Sequence, residues 1–359
     1  MATTRISAAA ASTALQLDYL SCDQLLSQSA SWWQSVLGVV GFERLPAVGG
    51  VQVPVTASMT PALGMSDDVC EVWRVFGPHL QLCNGADPQS RVRYRYCNEL
   101  LFGFITVDEG NAVGGTGDSM RLLHATESAY QEIFAVLRQT EHRHLIRIWN
   151  YLPEINREAD GDERYRHFNS ARKTAFHNSG RATVDSVPAA CALGSPAGSP
   201  ISIYFLAARF PPTMIENPRQ TSAYHYPPQY GVHSPIFSRA CVLSESVGTN
   251  LFVSGTASIV GHETTHHGDV AAQTFETVDN IKALLEEANR VVGAYRYSLG
   301  ALKYKVYVRR PTELNAIEGV LRQALPSATS VVYLQADVCR EDLLVEIEAT
   351  GGSVATGAN

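Results

Sequence analysis

The chain has 359 residues, of which 45% are hydrophobic and 18% charged, a composition typical of a globular protein able to bury a core. Its formal net charge of -7 excludes a global attraction to nucleic acid or to an anionic membrane, so an anionic ligand would need a local cluster of arginines. No apolar run approaches the length of a membrane span.

The cysteine pattern and the N-terminus bear on the compartment. Seven cysteines stand at irregular spacings without a CxxC pair, which favours a reducing compartment over a disulfide framework. The Ala/Ser/Thr-rich opening, residues 1–14, carries Arg5 as its only charge and lacks the apolar region of a signal peptide. We therefore expect a soluble cytoplasmic protein.

Residues 1–90 give the weakest pattern. The stretch 46–61 is rich in proline, glycine and valine, which is typical of loops. We interpret residues 1–90 as an N-terminal segment that is either loop-rich or a degenerate copy of the unit that follows.

Residues 91–210 predict a first complete unit of alternating strands and helices. The predicted elements are a strand at 99–107, a helix at 119–137, a strand at 144–151, a helix at about 162–176, and strands at 189–193 and 201–207. The glycine-rich loop 110–117 is not a phosphate loop, because it lacks the Lys-Ser/Thr ending.

Residues 231–359 repeat that order after a proline-rich connector at 211–230. The predicted elements are a strand at 250–257, a helix at 271–289, a strand at 304–308, a helix at 312–325, and strands at 330–335 and 343–349. Repetition at this scale predicts an α+β fold in which stacked copies share a core.

Four segments of the C-terminal unit resemble the Rid/YjgF family. They are 235–240 (PIFSRA), 251–258 (LFVSGTAS), 268–287 (from GDVAAQT to NIKALLEE) and 344–349 (LVEIEA). The resemblance implies a chorismate-mutase-like α+β unit that forms trimers, with pockets between neighbouring sheets.

Two segments of the middle unit are similar to the chorismatases of secondary metabolism. These are 147–156 (RIWNYLPEIN) and 163–172 (ERYRHFNSAR), and the resemblance extends over about residues 95–350. It implies tandem Rid-like units that form a pseudo-trimer within one monomeric chain, with chorismate as the substrate and no cofactor. One subtype of that family forms 3-hydroxybenzoate and pyruvate, and the other hydrolyses chorismate to a dihydroxycyclohexadiene acid.

Two functions of other classes stay open. Rid deaminases use an arginine fifteen residues before the first glutamate of the closing motif, and Val331 stands at that position here. This departure disfavours enamine deamination. A non-catalytic module that binds a small molecule is the other alternative.

Glu346 is the candidate acid. It falls in the apolar segment LLVEIEA, where a carboxylate needs a role or a partner, and a desolvated carboxyl can hold a proton near neutral pH. The resemblance further suggests that Cys339 and Gly255 are markers of the 3-hydroxybenzoate subtype. Cys339 would assist the reaction, and Gly255 would leave room beside the ring.

Arginines are the expected partners of a substrate with two carboxylates, because the guanidinium group matches carboxylate geometry. Arg239 replaces a pocket-lining glutamine of the Rid motif, Arg209 follows the strand 201–207, and Arg164 and Arg172 share a helix face. Three further candidates for substrate binding are Tyr204, which aligns with Glu346 of the other unit, and Asn150 and Tyr151, which end a strand.

The segment 262–266 (HETTH) matches the HExxH zinc pattern, which requires both histidines on one face of a helix. Gly261 and Gly268 flank it, and its threonines give no amphipathic face. We therefore expect a loop here and no metal site.

Overall fold

The structure is a computed structural model that describes residues 13–44, 52–58, 60–64, 68–77, 80–86, 90–111, 117–243 and 249–352. The interpretations given above for residues 1–12, 45–51 and 112–116 lie outside the described residues. No helix in the described ranges is both long enough and apolar enough to cross a membrane.

The N-terminal segment forms a four-stranded sheet with two short helices. Its elements are β1 (Ala14–Ser21), α1 (Cys22–Leu26), α2 (Ala30–Trp33), β2 (Val36–Gly41), β3 (Val55–Ala57) and β4 (Val69–Phe76). The strand order is β1-β4-β2-β3.

The middle unit forms a six-stranded sheet covered by two long helices. Its elements are β5 (Cys83–Ala86), β6 (Arg93–Tyr96), β7 (Leu100–Val107), α3 (Asp118–Gln139), β8 (His144–Pro153), β9 (Glu158–Ala159), β10 (Asp162–Glu163), α4 (Arg164–Asn178), β11 (Ala189–Ser195) and β12 (Ile201–Ala208). The order in the large sheet is β11-β8-β12-β7-β6-β5.

The C-terminal unit repeats this arrangement. Its elements are β13 (Thr213–Ile215), β14 (Ala240–Val242), β15 (Leu251–Thr256), β16 (Ile259–Val260), β17 (Glu263–Thr264), α5 (Val270–Val292), β18 (Leu302–Val308), α6 (Leu314–Ala324), β19 (Val331–Gln335) and β20 (Val345–Gly351). The order in its large sheet is β13-β14-β15-β20-β18-β19.

The strand orders reveal the repeat. The order β6-β7-β12-β8-β11 corresponds position by position to β14-β15-β20-β18-β19, and β1-β4-β2-β3 matches the last four of these. The predicted α+β fold with tandem units is therefore confirmed. The middle sheet already begins at Cys83, and β13, which falls within the expected connector, pairs with β14.

The three sheets share one core. Trp73 of β4, Trp149 of β8 and Phe252 of β15 meet there, with ring centroids 5.7 Å apart for the tryptophans and 5.9 Å apart for Trp73 and Phe252. The long helices cover the outer faces, where α3 and α4 pack on the middle sheet and α5 and α6 on the C-terminal sheet. The inner faces of all three sheets are therefore buried against one another.

The Ser254 hydroxyl is one of several groups that bridge the seam between the middle and C-terminal sheets. Ser254 Oγ accepts a hydrogen bond from the Ala190 backbone N–H at 2.9 Å and donates one to the Ser238 carbonyl at 2.6 Å. The pairing of β15 with β20 is irregular between Val253 and Thr256, so a bulge lies at this seam. Bulges re-aim side chains and commonly adjoin active sites.

Candidate active site

A cavity of about 420 Å³ opens at this seam. One wall belongs to α4, with Tyr165 and Arg166, and the opposite wall to the C-terminal unit. The cavity is further lined by Tyr226, Tyr230, Phe237, Arg239, Gly255, Cys339, Arg340 and Glu346. The volume suits a small organic ligand.

Glu346 projects into this cavity from β20. Glu346 lies opposite Tyr307 of β18 in the sheet. Only 3% of its surface is exposed, and its Oε1 has no hydrogen-bond partner in the protein. Burial, reinforced by the negative charge of Glu348, raises the pKa of the Glu346 carboxyl to about 8. At neutral pH the side chain is thus a protonated acid that faces a ligand-sized space.

Gly255 lies in the bulge directly against Glu346. A Cβ atom at this position would stand 1.8 Å from Glu346 Oε1 and 2.6 Å from its Cδ. The glycine therefore makes room for the catalytic candidate itself, whereas the sequence suggested that it makes room for a substrate ring.

Cys339 lines the same cavity. Burial, and secondarily the charge of Glu346, raises the pKa of the Cys339 thiol to about 12. The group therefore stays a thiol at physiological pH, which suits a weak donor or a packing contact better than a thiolate nucleophile.

Arg239 is buried with one N–H directed to no protein atom. Its Nη2 donates to the Thr221 carbonyl and to the Tyr226 hydroxyl, both at 2.7 Å. The rings of Tyr226 and Phe237 lie 5.5 and 5.2 Å from the guanidinium carbon, and Nε has no partner. An unpartnered buried guanidinium N–H is a ready donor to an anion.

Arg172 lines a narrow inner recess of about 30 Å³ beside Glu346 and Cys339. It is 2% exposed, and its Nε and Nη2 have no partner. Asn150 stands behind it, because the Tyr130 hydroxyl donates to Asn150 Oδ1 at 2.5 Å and the Tyr130 ring lies 5.5 Å from the Arg172 guanidinium carbon. Asn150 thus supports the site without lining it.

Arg340 is a pocket residue that the sequence reasoning missed. Its Nη1 donates to the His262 carbonyl at 2.9 Å, its guanidinium carbon lies 3.9 Å from the Tyr230 ring centroid, and its Nη2 has no partner. The available signal was its place next to Cys339, which lies seven residues before Glu346.

Arg309 was also missed, and it holds the loop that carries Cys339 and Arg340. Its Nη2 donates to the carbonyls of Val338 and Arg340 at 2.9 and 2.8 Å, and its Nε donates to the Leu343 carbonyl at 2.7 Å. Three hydrogen bonds from one guanidinium fix the backbone of residues 338–343 at the cavity wall.

Two of the predicted arginines lie elsewhere. Arg164 points away from the cavity, and its buried guanidinium forms partly exposed ion pairs with Glu109 and, at 3.2 Å, with Asp118. Arg209 lies at the protein surface, 3.5 Å from Glu141. The helical face shared by Arg164 and Arg172 suggested a common site, but eight residues separate them by about 12 Å along the axis.

Tyr151 and Tyr204 are likewise outside the cavity, in the core between the three sheets. Their hydroxyls are 3.3 Å apart, and that of Tyr151 lies 2.9 Å from the Tyr307 hydroxyl. Tyr204 also accepts a hydrogen bond from Lys305 Nζ at 2.9 Å. Both tyrosines lie on the inner face of the middle sheet, and this face packs against the shared core and not against the cavity.

Beside these tyrosines lies a group of four buried charged residues, Glu71, Arg147, Lys305 and Glu348, which we call the central charge cluster. Lys305 Nζ is 2.5 Å from Glu71 Oε2 and 2.8 Å from Glu348 Oε1, and Arg147 contacts Glu348 Oε2. Burial alone would raise the pKa of Glu348, but Lys305 and Arg147 outweigh it and the pKa lies below its usual value. All three units contribute to this cluster.

The HETTH segment is not a helix, because it contains the second strand of a short hairpin of β16 and β17. His266 adopts a φ of 58° and contacts Glu276 at 3.3 Å, while the His262 carbonyl accepts from Arg340. Within the described residues, no three His, Cys, Asp or Glu side chains come close enough to hold a metal ion. The segment thus holds the guanidinium of Arg340 in place at the cavity wall through the His262 carbonyl.

Comparisons with known proteins agree with this architecture. Residues 71–207 match the model of the family described as chorismatase FkbO/Hyg5-like, N-terminal. A 3-hydroxybenzoate synthase of Streptomyces hygroscopicus is 42% identical over 239 residues, which cover 64% of this chain and 69% of that protein. A chorismatase of Streptomyces rapamycinicus is 35% identical over 291 residues, covering 79% and 82%.

A solved structure extends the match to nearly the whole chain. The crystal structure of a chorismatase superposes with a TM-score of 0.81 at 33% identity, covering 95% of this chain and 99% of that one. The resemblance predicted from residues 147–172 is therefore confirmed, and the protein belongs to the chorismatase family of enzymes.

Proposed function

We propose that this enzyme converts chorismate to 3-hydroxybenzoate and pyruvate in the seam cavity. The observation that carries the proposal is the buried Glu346 carboxyl, which faces the cavity with an unpartnered oxygen and a pKa of about 8. The relative named 3-hydroxybenzoate synthase supports the choice of product.

Three arginines are suited to hold the two carboxylates of chorismate. Arg172, Arg239 and Arg340 converge on the cavity and its inner recess, and each presents at least one N–H without a protein partner. A carboxylate that accepts these N–H groups would relieve the cost of leaving them buried and unpaired. This set of three arginines differs from the set predicted from the sequence, which included Arg164 and Arg209 and lacked Arg340.

Glu346 then donates its proton to the methylene of the enolpyruvyl side chain. This step turns the enol ether into a good leaving group, and the carboxylate that remains is stabilised by the positive charges of Arg147 and Arg239. The C4 hydroxyl displaces the side chain from C3 within the substrate, its proton returns to Glu346, and pyruvate leaves.

The arene oxide that results opens to 3-hydroxybenzoate, with Cys339 as the thiol beside it. No water is consumed, since the atoms of 3-hydroxybenzoate and pyruvate add up to those of chorismate. Replacing Cys339 with alanine should change the ratio of products more than the affinity for chorismate. An unchanged ratio would make Cys339 a packing residue.

The direct test is to incubate the purified protein with chorismate and identify the products by mass-resolved chromatography. Pyruvate with 3-hydroxybenzoate is the expected result. Pyruvate with the dihydroxycyclohexadiene acid would keep the family and overturn the product, and absence of pyruvate would overturn the proposal.

The Glu346→Gln variant tests the acid. It should lose roughly 10²- to 10⁴-fold in the rate of pyruvate release with chorismate binding largely intact. Glu286→Gln makes the same chemical change on an exposed face of α5 and serves as the control. Near wild-type turnover of Glu346→Gln would remove Glu346 from the acid role.

A further inference from the structure

Glu346 and Glu348 share one face of β20, because side chains alternate along a strand and only Ile347 lies between them. The spacing places their Cβ atoms about 7 Å apart. Glu346 faces the cavity, whereas Glu348 belongs to the central charge cluster. A charge fixed on Glu348 therefore acts on Glu346 through the protein interior.

Glu348 is held rigidly and held ionised. Its Oε1 accepts a hydrogen bond from Trp149 Nε1 at 2.8 Å and lies 2.8 Å from Lys305 Nζ, and its Oε2 accepts from Arg147 Nη2. Two cations and an indole N–H thus fix one carboxylate in a buried position. Glu346, by contrast, has an oxygen with no partner.

Other charged and titratable groups also face this carboxylate pair. They are Tyr19 on β1, Glu71 on β4, Arg147 and Tyr151 on β8, Tyr165 and Arg172 on α4, Cys191 on β11, Tyr204 on β12, Arg239 before β14, Lys305 and Tyr307 on β18, Arg309 after β18 and Cys339 before β20. Arg147, Arg239 and Arg309 favour the charged form of Glu346, and Glu348 opposes them.

We propose that Glu348 is a positioning residue whose fixed negative charge keeps Glu346 protonated, and that the central charge cluster exists in part to keep that charge in place. The proposal rests on the assignment of Glu346 as the acid. It gives the N-terminal unit a share in catalysis, since Glu71 supplies one of the two carboxylates that hold Lys305.

A purely structural role predicts something different. If Glu348 only neutralised Arg147 and Lys305, its loss would lower stability and the amount of active enzyme, but it would not move the pH at which activity is lost. The pH profile of kcat for pyruvate release therefore separates the two roles, with melting curves recorded alongside.

The experiment compares Glu348→Gln with wild type, with the charge-retaining Glu348→Asp and with the surface control Glu286→Gln. Removal of a unit charge about 7 Å away at an effective dielectric constant of about 20 should lower the midpoint of the alkaline limb by about 1.7 pH units. Glu348→Asp keeps the charge, so its midpoint should lie close to that of wild type. An unchanged midpoint in folded Glu348→Gln would overturn the proposal.

A double variant keeps the proposal testable if the buried cations left by Glu348→Gln prevent folding. Glu348→Gln combined with Lys305→Met removes one buried carboxylate together with the cation that lies opposite it on β18. Its midpoint should still fall below that of wild type, and an unchanged or higher midpoint overturns the proposal. Absence of pyruvate release by the wild type would instead refute the proposed function, so the two failures are distinct.

Discussion

Replacing Gly255 with alanine should displace the carboxyl of Glu346 and slow catalysis, although Glu346 itself is not mutated. The new Cβ would stand 1.8 Å from Glu346 Oε1, whereas real Cβ contacts essentially never fall under 3.0 Å. The carboxyl must therefore retreat by roughly 1 Å, a displacement that costs on the order of 10²-fold when it misplaces a reacting group. We expect kcat for pyruvate release to fall by about that factor.

The assay is steady-state release of pyruvate, with products separated to detect a change in their ratio. Gly319→Ala is the matched control, because a Cβ there meets nothing within 4 Å and the residue lies inside α6, where alanine favours the helix by about 1 kcal/mol. It should keep full activity. Unchanged kcat and product ratio in Gly255→Ala would refute the view that Glu346 depends on this glycine for its position.

Three other predictions follow from the site and its surroundings. With a Glu346 pKa of about 8 and the protonated form active, kcat should be nearly constant from pH 6 to 7 and fall about tenfold per unit well above pH 8; a profile that is flat to pH 10 would contradict the acid role. Arg340→Ala should raise KM for chorismate by about tenfold or more and lower kcat less, since a charged hydrogen bond contributes about 1.5–3 kcal/mol, and an unchanged KM would exclude Arg340 from the substrate. Arg164→Ala should lower the free energy of unfolding by about 3 kcal/mol, because it leaves the largely buried Glu109 without its partner, whereas Asp118 keeps Arg157. It should leave KM unchanged, and a raised KM would restore Arg164 to the site.

The sequence by itself determined the repeated units and singled out Glu346 as the candidate acid. The alternation of apolar residues and the breaks at glycine and proline placed the long helices and central strands of the two complete units within a few residues. Glu346 was recognisable because a carboxylate in an apolar strand needs a reason. Arg172 and Arg239 could be named as candidates because each lies in a segment that resembles a known family, 163–172 and 235–240 respectively.

Tertiary structure decided which side chains meet. Arg164 and Arg172 lie on one helix, but only Arg172 reaches the cavity, because two acidic residues hold Arg164 at the other end of α4. Tyr204 was expected to face the substrate pocket, but the face of β12 that carries it meets the central charge cluster. No local pattern reports which neighbouring sheet a strand will face.

Arg340 and Gly255 are further residues whose place in the site could not be predicted from the local sequence. Arg340 lines the cavity because Arg309 fixes its loop and the hairpin at 259–264 supports its guanidinium. Gly255 needs its small size because β20 brings Glu346 against it across a bulge. These contacts join residues far apart in the chain, so packing between units, and not the local sequence, determines them.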